Sequence, residues 1–153
     1  MSTTEVTVHV AAPVDDVFDC VAHIDNFSQV VDDIVDVEFL SEHKRGLGAR
    51  FKETRKMGKK SATTTLKVTE YVENDRVRLV SDEGGTIWDT LFSVADEDGH
   101  TQLTVVMMAK PYKMLARLMT PMIRGMIQKA ITDDMHAVKA FCEARATSAG
   151  GDA

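Results

Sequence analysis

The sequence has few cysteines, few aromatic residues and no long apolar run. Cys20 and Cys142 are its only cysteines, and they lack the C-x-x-C spacing of a zinc or redox motif, which argues against a disulfide framework or a metal site. No stretch approaches the roughly 18 apolar residues of a membrane span. The start, MSTTEVTVHV, lacks the basic and apolar segments of a secretion signal. We therefore expect a cytoplasmic protein with reduced thiols, no metal and no cofactor.

Acidic residues outnumber basic residues by 24 to 18, and the charge is unevenly distributed. The net charge of −6 argues against a surface built for nucleic acid. Residues 44–60, which we call the basic hairpin, contain eight basic residues against Glu53 alone, a formal charge of +7. The sequence thus predicts a positive region on an otherwise acidic protein.

The first part of the chain predicts a strand followed by two short helices. EVTVHV alternates valine with polar residues, which is the period of a half-buried strand. PVDDVFDCVA has the apolar spacing of one helical face, with Pro13 at the first helical position. HIDNFSQVV predicts a second short helix, capped by Asp25 or Asn26.

Six further β-like runs and one long helix complete the predicted fold. The runs are IVDVEFLS, GARFKETRKM, TTTLKVTEYV, RVRLVS, TIWDTLFSV and TQLTVVMMA. Short turns rich in Gly, Asn and Asp separate them, so successive strands should be antiparallel neighbours. After Pro111 the helical period returns and continues to near Arg145, which leaves 147–153 as a flexible tail. We predict one α+β domain, residues 1–146, in which this helix covers about seven strands.

The last helix is rich in methionine. A curved sheet with few aromatic side chains leaves space against a single helix, and methionine adapts its shape to different ligands. We therefore predict that the helix lines a cavity through Met119, Met122, Ile123 and Met126. The alternative is that these side chains fill an irregular core.

Pro121 and Gly125 interrupt the same helix. Proline lacks a backbone donor and usually kinks or restarts a helix, and Thr120 is placed to cap such a restart. A kink at this point would let PYKMLARLM move as a gate, which is a hypothesis for mobility measurements.

Two charged residues share a strand face with an aromatic residue. Alternation in GARFKETRKM places Glu53 and Arg55 on the side of Phe51. If this face points inward, the two groups pair with each other, or Arg55 receives a ligand carboxylate or carbonyl. If the strand leaves the core here, both groups are solvated. The pattern leaves both interpretations open.

Neighbouring strands supply the rest of the predicted wall. Trp88, Thr90 and Phe92 share the bulkier face of one strand, where Trp88 either stacks on a flat ligand or fills the core. The remaining predicted wall residues are Leu66, Val68, Val105 and Met107.

Asp134 lies between Ala130 and Val138 at helical spacing. A buried carboxylate at this position would have a raised pKa and act as an acid or base. The spacing also suits the edge of the apolar stripe in water, which we favour. We therefore assign no catalytic residue.

The outward face of the basic hairpin carries Arg50, Lys52 and Lys56. Such a stripe suits transient contact with an anionic membrane or an acidic partner, or is an ordinary solvated face. No aromatic residues interleave these positions, so we expect no nucleic acid.

The order of these elements resembles the START-like (SRPBCC) superfamily, and within it the bacterial polyketide cyclase/dehydrase and lipid-transport branch. The similar segments are AAPVDDVFDCVAHIDNFSQV, GLGARFKETRKMGKK, VTEYVENDRVRLVS and DDMHAVKAF. The resemblance covers roughly residues 5–141. It implies a helix-grip fold, in which a curved antiparallel sheet wraps a long C-terminal helix around a cavity for lipids, sterols, polyketides or quinones. No catalytic set of the family matches residue by residue.

These observations favour binding or transfer of an apolar small molecule over catalysis. The alternative is a polyketide cyclase or dehydratase that uses the same cavity, with Glu53, Tyr71 and Asp134 as the first residues to test. A third hypothesis is an interaction module that contacts a protein or an anionic surface through the basic hairpin. The sequence does not indicate the oligomeric state.

Overall fold

The computed structural model describes residues 1–151, which form a seven-stranded sheet, two short helices and one long helix. The elements in chain order are β1 Ser2–Val10, α1 Val14–Ala22, α2 Ile24–Val30, β2 Ile34–Phe39, β3 Arg50–Met57, β4 Lys60–Val72, β5 Arg76–Glu83, β6 Thr86–Glu97, β7 His100–Pro111 and α3 Met114–Gly151.

All neighbouring strands of the sheet are antiparallel, in the order β1-β7-β6-β5-β4-β3-β2. Strands β2 to β7 form the predicted meander, and β1 adds to its end by pairing with β7. A two-residue turn joins β6 to β7 at Asp98 and Gly99, whose φ angles are 56° and 89°. This left-handed backbone matches the twist of a tight hairpin, which is why Asp-Gly is favoured there. The predicted helix-grip α+β architecture is confirmed.

The core lies between the sheet, the two short helices and the second half of α3. Phe18 of α1 is almost fully buried, and Phe27 of α2 meets Phe92 of β6 edge-on, with ring centroids 5.9 Å apart. Four side chains of α3 that are three or four residues apart are buried against this layer: Ile131, Met135, Val138 and Cys142. Cys20 and Cys142 are both buried free thiols.

The starts of the short helices differ slightly from the predictions. Pro13 is the cap of α1 and not its first helical residue. In α2 the cap is His23, whose carbonyl accepts hydrogen bonds from the backbone amides of Asn26 and Phe27. Neither Asp25 nor Asn26 is the cap, because the helix begins at Ile24, two or three residues earlier than those caps predict.

The long helix α3 continues to Gly151, past the predicted end near Arg145. The segment 146–149 contains no proline or glycine that would stop a helix. The predicted tail extends to residue 153, outside the described residues, so the tail and the domain boundary at residue 146 stay predictions.

Pro121 lies inside the continuous α3 and does not restart it. The buried Thr120 donates a hydrogen bond from Oγ1 to the carbonyl of Ala116, 2.7 Å away, which is one turn earlier in the same helix. Thr120 is therefore an interior residue of α3, not a cap. Across residues 1–151, none of the helices combines the length and the apolar character needed to cross a membrane.

Candidate ligand cavity

Two adjoining chambers lie between the inner face of the sheet and the helices. The inner chamber has a volume of about 100 Å³ and the outer chamber about 270 Å³. They share the wall residues Glu53, Arg55, Leu66, Thr90, Met107, Ile131 and Asp134. Small-molecule sites usually have volumes of about 300–1,000 Å³, so the two chambers together reach the lower end of that range.

Strand register brings the apolar walls of the chambers together. Phe51 of β3 pairs with Leu66 of β4, and Thr90 of β6 pairs with both Leu79 of β5 and Met107 of β7. Paired residues point to the same face of a sheet, so five strands contribute to one inner surface. The helices close this surface through Ile24, Phe27, Ile131 and Met135.

Ten of the predicted wall residues lie at the chambers. Eight line the inner chamber: Phe51, Glu53, Arg55, Leu66, Thr90, Phe92, Val105 and Met107. Trp88 and Met126 line the outer chamber, together with Ile127 and Ala130 of α3.

Four predicted wall residues lie elsewhere. Val68 is buried in the core without lining either chamber. Met119 and Met122 are 45% and 80% exposed, and Ile123 lines neither chamber. Successive helical residues are about 100° apart, so Met122 points almost opposite to the buried Thr120. The apolar residues in the first half of α3 are too widely spread around the helix for sequence to identify its inward face.

Three charged side chains lie together in the wall that the two chambers share. Arg55 donates from Nη1 to both carboxylate oxygens of Asp134, at 2.9 and 3.2 Å, and from Nη2 to Glu53 Oε1 at 3.3 Å. Their side chains are only 14–24% exposed. Glu53 and Arg55 therefore face the cavity, which the sequence left open, and we call these three residues the charged cluster.

Burial raises the pKa of Asp134 to about 6, with Glu53 and Asp33 adding to the rise and Arg55 opposing it. Burial would lower the pKa of Arg55, but the two carboxylates outweigh it, and its pKa is raised. Asp134 therefore exchanges a proton near neutral pH while Arg55 stays charged. The expectation that Asp134 lies in water was wrong, because α3 turns this residue towards the sheet and Arg55.

Tyr71 does not line either chamber. It packs against Phe18 and His23 beside α1 and α2, with ring centroids 5.6 and 6.0 Å away. Because Tyr71 lies outside both chambers, it is not placed to act on a ligand in the cavity.

Sequence reasoning missed several wall residues. Ile127 and Ile131 are four residues apart on α3, and Asp134, which we considered but favoured in water, follows three residues later. The helical period itself contained this signal. Ile24 and Phe27 of α2 gave no local signal, because only the tertiary fold brings α2 against β6. Within the described chain, no group of three His, Cys, Asp or Glu side chains is arranged to hold a metal ion.

The outward face of the basic hairpin exposes Arg50, Lys52 and Lys56 as predicted from alternation. Lys52 lies opposite Glu38 of β2 in the strand register, so an acidic neighbour stands beside this part of the positive face. The role of this outward face as a contact for an anionic surface or an acidic partner stays a prediction.

A long helix gripped by a seven-stranded antiparallel sheet, with a cavity between them, defines a START-like helix-grip protein. Solved structures with this fold include the Zhui aromatase/cyclase from Streptomyces sp. R1128, which is 18% identical with a TM-score of 0.78 over 94% of each chain. The di-domain ARO/CYC StfQ from the steffimycin biosynthetic pathway is 14% identical with a TM-score of 0.79, over 95% of this chain and 51% of StfQ. TTHA0849 from Thermus thermophilus is 14% identical with a TM-score of 0.71, over 97% and 99% of the two chains.

A family profile described as polyketide cyclase / dehydrase and lipid transport matches residues 1–143. The chain therefore belongs to this family. A comparison with curated proteins found no significant match. The structural likenesses, at 18% identity or less, show the shared fold alone.

Proposed function

We propose that the protein binds or transfers an apolar small molecule, such as a lipid, polyketide or quinone, in its two-chamber cavity. The observation that carries this proposal is the inner chamber, whose walls are mostly aromatic and aliphatic side chains. Burial of ligand carbon against such walls contributes roughly 25 cal/mol per Å² of apolar area. Membership of a family that includes lipid transport supports the same conclusion.

The charged cluster favours a neutral ligand over a carboxylate. Asp134 and Glu53 already occupy the Arg55 guanidinium, and the three side chains together have a formal charge of −1 when all are ionised. A ligand carboxylate would add a second uncompensated negative charge, and such like-charge contacts cost several kcal/mol. We therefore propose a ligand whose polar end is a hydroxyl or a carbonyl, and not the free carboxylate first considered for Arg55.

Two methionines of α3 provide a matched test of this site. Met126 lines the outer chamber, whereas Met122 is exposed and lines neither chamber. We expect Met126→Glu to lose most of the ligand that copurifies with the protein, because the new charge faces the apolar wall. Met122→Glu should retain it. Native mass spectrometry of both variants measures the bound fraction, and equal retention by the two would contradict this location.

A second candidate function is a polyketide cyclase or dehydratase. It is favoured by one observation: Asp134, with a pKa of about 6, contacts Arg55 inside the cavity. In this mechanism the Asp134 carboxylate removes a proton from the carbon next to a substrate carbonyl, and the enolate carbon attacks a second carbonyl of the same chain. This closes the ring and converts the second carbonyl to a hydroxyl, which takes its proton from Asp134. Arg55 stabilises the enolate oxygen. For dehydration Asp134 then removes a second proton next to the carbonyl and returns it to the new hydroxyl, which leaves as water as the carbon–carbon double bond forms.

Turnover of a linear poly-β-ketone tests the enzyme hypothesis. We expect Asp134→Asn to lower the rate by about 100-fold or more, since general acid–base catalysis contributes roughly that factor. Wild-type activity should rise with an inflection near pH 6, where the Asp134 base becomes available. Wild-type protein that binds the substrate without converting it, across this pH range, would leave binding as the function.

A further inference from the structure

The first half of α3 exposes a row of large apolar side chains. Met114, Leu115, Leu118 and Met122 are between 66% and 80% exposed, and Met119 and Met126 about half. We call these six residues the α3 stripe. Single exposed apolar residues are ordinary on protein surfaces, but a contiguous row on one helix marks an interaction site.

The chain segment that carries the α3 stripe has charges of one sign only. Residues 99–132 contain no Asp or Glu and five basic residues, although the protein has a net charge of −6. Arg117 and Arg124 lie seven residues apart, so they share one flank of the helix. Lys129 is three-quarters exposed one turn further on, where it pairs with Asp133. The α3 stripe is therefore bordered by two arginines and meets no acidic residue along this half of the helix.

The two arginines border an open cleft beside the stripe. The cleft has a volume of about 570 Å³ and lies between the start of β1 and α3, with Ser2 and Pro121 also in its wall. Arg124 donates from Nη2 to the carbonyl of Thr3 at 3.2 Å. This contact leaves the rest of the exposed guanidinium free to meet an anion.

The α3 stripe also reaches the outer chamber of the cavity. Met126 is its last residue, about half exposed, and it lines the outer chamber. A surface that covers the stripe would therefore also touch a side chain of the outer chamber wall.

We propose that the first half of α3 docks on the surface of an anionic lipid bilayer. The α3 stripe enters the boundary between headgroups and acyl chains, while Arg117 and Arg124 contact lipid phosphates. Apolar residues bordered by cations are the pattern of an interfacial helix, which lies in the bilayer surface without crossing it. The proposal does not depend on what fills the cavity.

Charge favours an anionic bilayer over the other possible partners of the α3 stripe. A symmetric dimer through the stripe would bring two copies of the same cationic flank together, which like-charge repulsion opposes. The outward face of the basic hairpin also offers positive charge, but Lys52 lies opposite the acidic Glu38 in the strand register. No comparable apolar row accompanies this face among the described side chains, residues 1–148. The α3 stripe combines a broad apolar surface with cations, which is the chemistry that an anionic bilayer requires.

Flotation with lipid vesicles tests the proposal. Wild-type protein should bind vesicles of phosphatidylcholine mixed with phosphatidylglycerol, and bind phosphatidylcholine alone far more weakly. The double variant Leu118→Gln/Met122→Gln should lose this binding, and Arg117→Gln/Arg124→Gln should weaken it by about fivefold for each charge removed. Lys52→Gln on the basic hairpin is the matched control and should bind as the wild type does.

Ligand retention distinguishes failure of docking from failure of the proposed function. Leu118 and Met122 lie outside both chambers, so their glutamine variant should keep any copurified ligand. Wild-type protein that binds neither kind of vesicle overturns the docking proposal. It is also overturned if Lys52→Gln abolishes binding while the stripe variant retains it. The proposal is also overturned if the wild type is a dimer that binds no vesicles and the stripe substitutions convert it to a monomer. The stripe would then be the contact with a second copy of the chain.

Discussion

At the scale of single residues, Asp134 determines how the cavity responds to pH. Its pKa of about 6 in the folded protein lies above the ordinary value of 3.8. The folded state therefore binds more protons than the unfolded state between these values, and stability falls as pH rises through them. The rise of the pKa from 3.8 to about 6 corresponds to about 3 kcal/mol of unfolding free energy, which is lost by neutral pH.

Asp134→Asn should remove this pH dependence. We expect the unfolding free energy of the wild type, relative to the variant, to decrease by about 2 kcal/mol between pH 4 and pH 7. The contribution is present in full only below the unfolded pKa of 3.8 and is lost as the pH rises through about 6. Urea denaturation at several pH values measures it, and parallel curves for the two proteins would show that Asp134 titrates normally.

The charged cluster also shows what sequence predicts at this scale. Alternation along β3 placed Glu53 and Arg55 on one face with Phe51, and that grouping was correct. It did not decide whether the face points inward, because the third partner, Asp134, comes from a helix 79 residues further along the chain. A buried ion pair depends on tertiary contact, so local periodicity leaves its direction undecided.

At the scale of elements, the strands were predictable and the orientation of α3 was not. The strands from β2 to β7 had a period of two and were separated by turns with Gly, Asn or Asp, so their successive pairings followed from local rules. Helix α3 has apolar residues on nearly all sides of its first half. Its inward face, which includes Ala116, Thr120 and Ile127, emerged only from the structure.

The two halves of α3 should differ in local stability. The second half buries Ile131, Met135 and Val138, whereas the first half contains Pro121 and exposes most of its large side chains. Local opening is easier where few apolar contacts hold an element. We expect amide hydrogen exchange to be at least about tenfold faster in residues 114–126 than in 131–142. Equal protection would count against movement of the first half as a gate or docking element.

At the scale of the whole molecule, the ligand cavity and the α3 stripe are connected through α3. The sheet encloses an apolar space with one charged cluster, and α3 joins that space to the exposed stripe through Met126. The fold and family were predictable because strand order, turn placement and the terminal helix are visible along the whole chain. The ligand was not, since chamber shape depends on side chains from seven separate elements.

Native mass spectrometry of freshly purified wild-type protein, followed by extraction of the bound material, tests the central claim most directly. We predict one small molecule per chain, mostly apolar and neutral, with a hydroxyl or carbonyl at its polar end. The Met126→Glu variant prepared in parallel should be empty. Wild-type protein that is empty, and that shows no thermal stabilisation with neutral lipids, quinones or aromatic polyketides, would contradict a ligand-binding cavity.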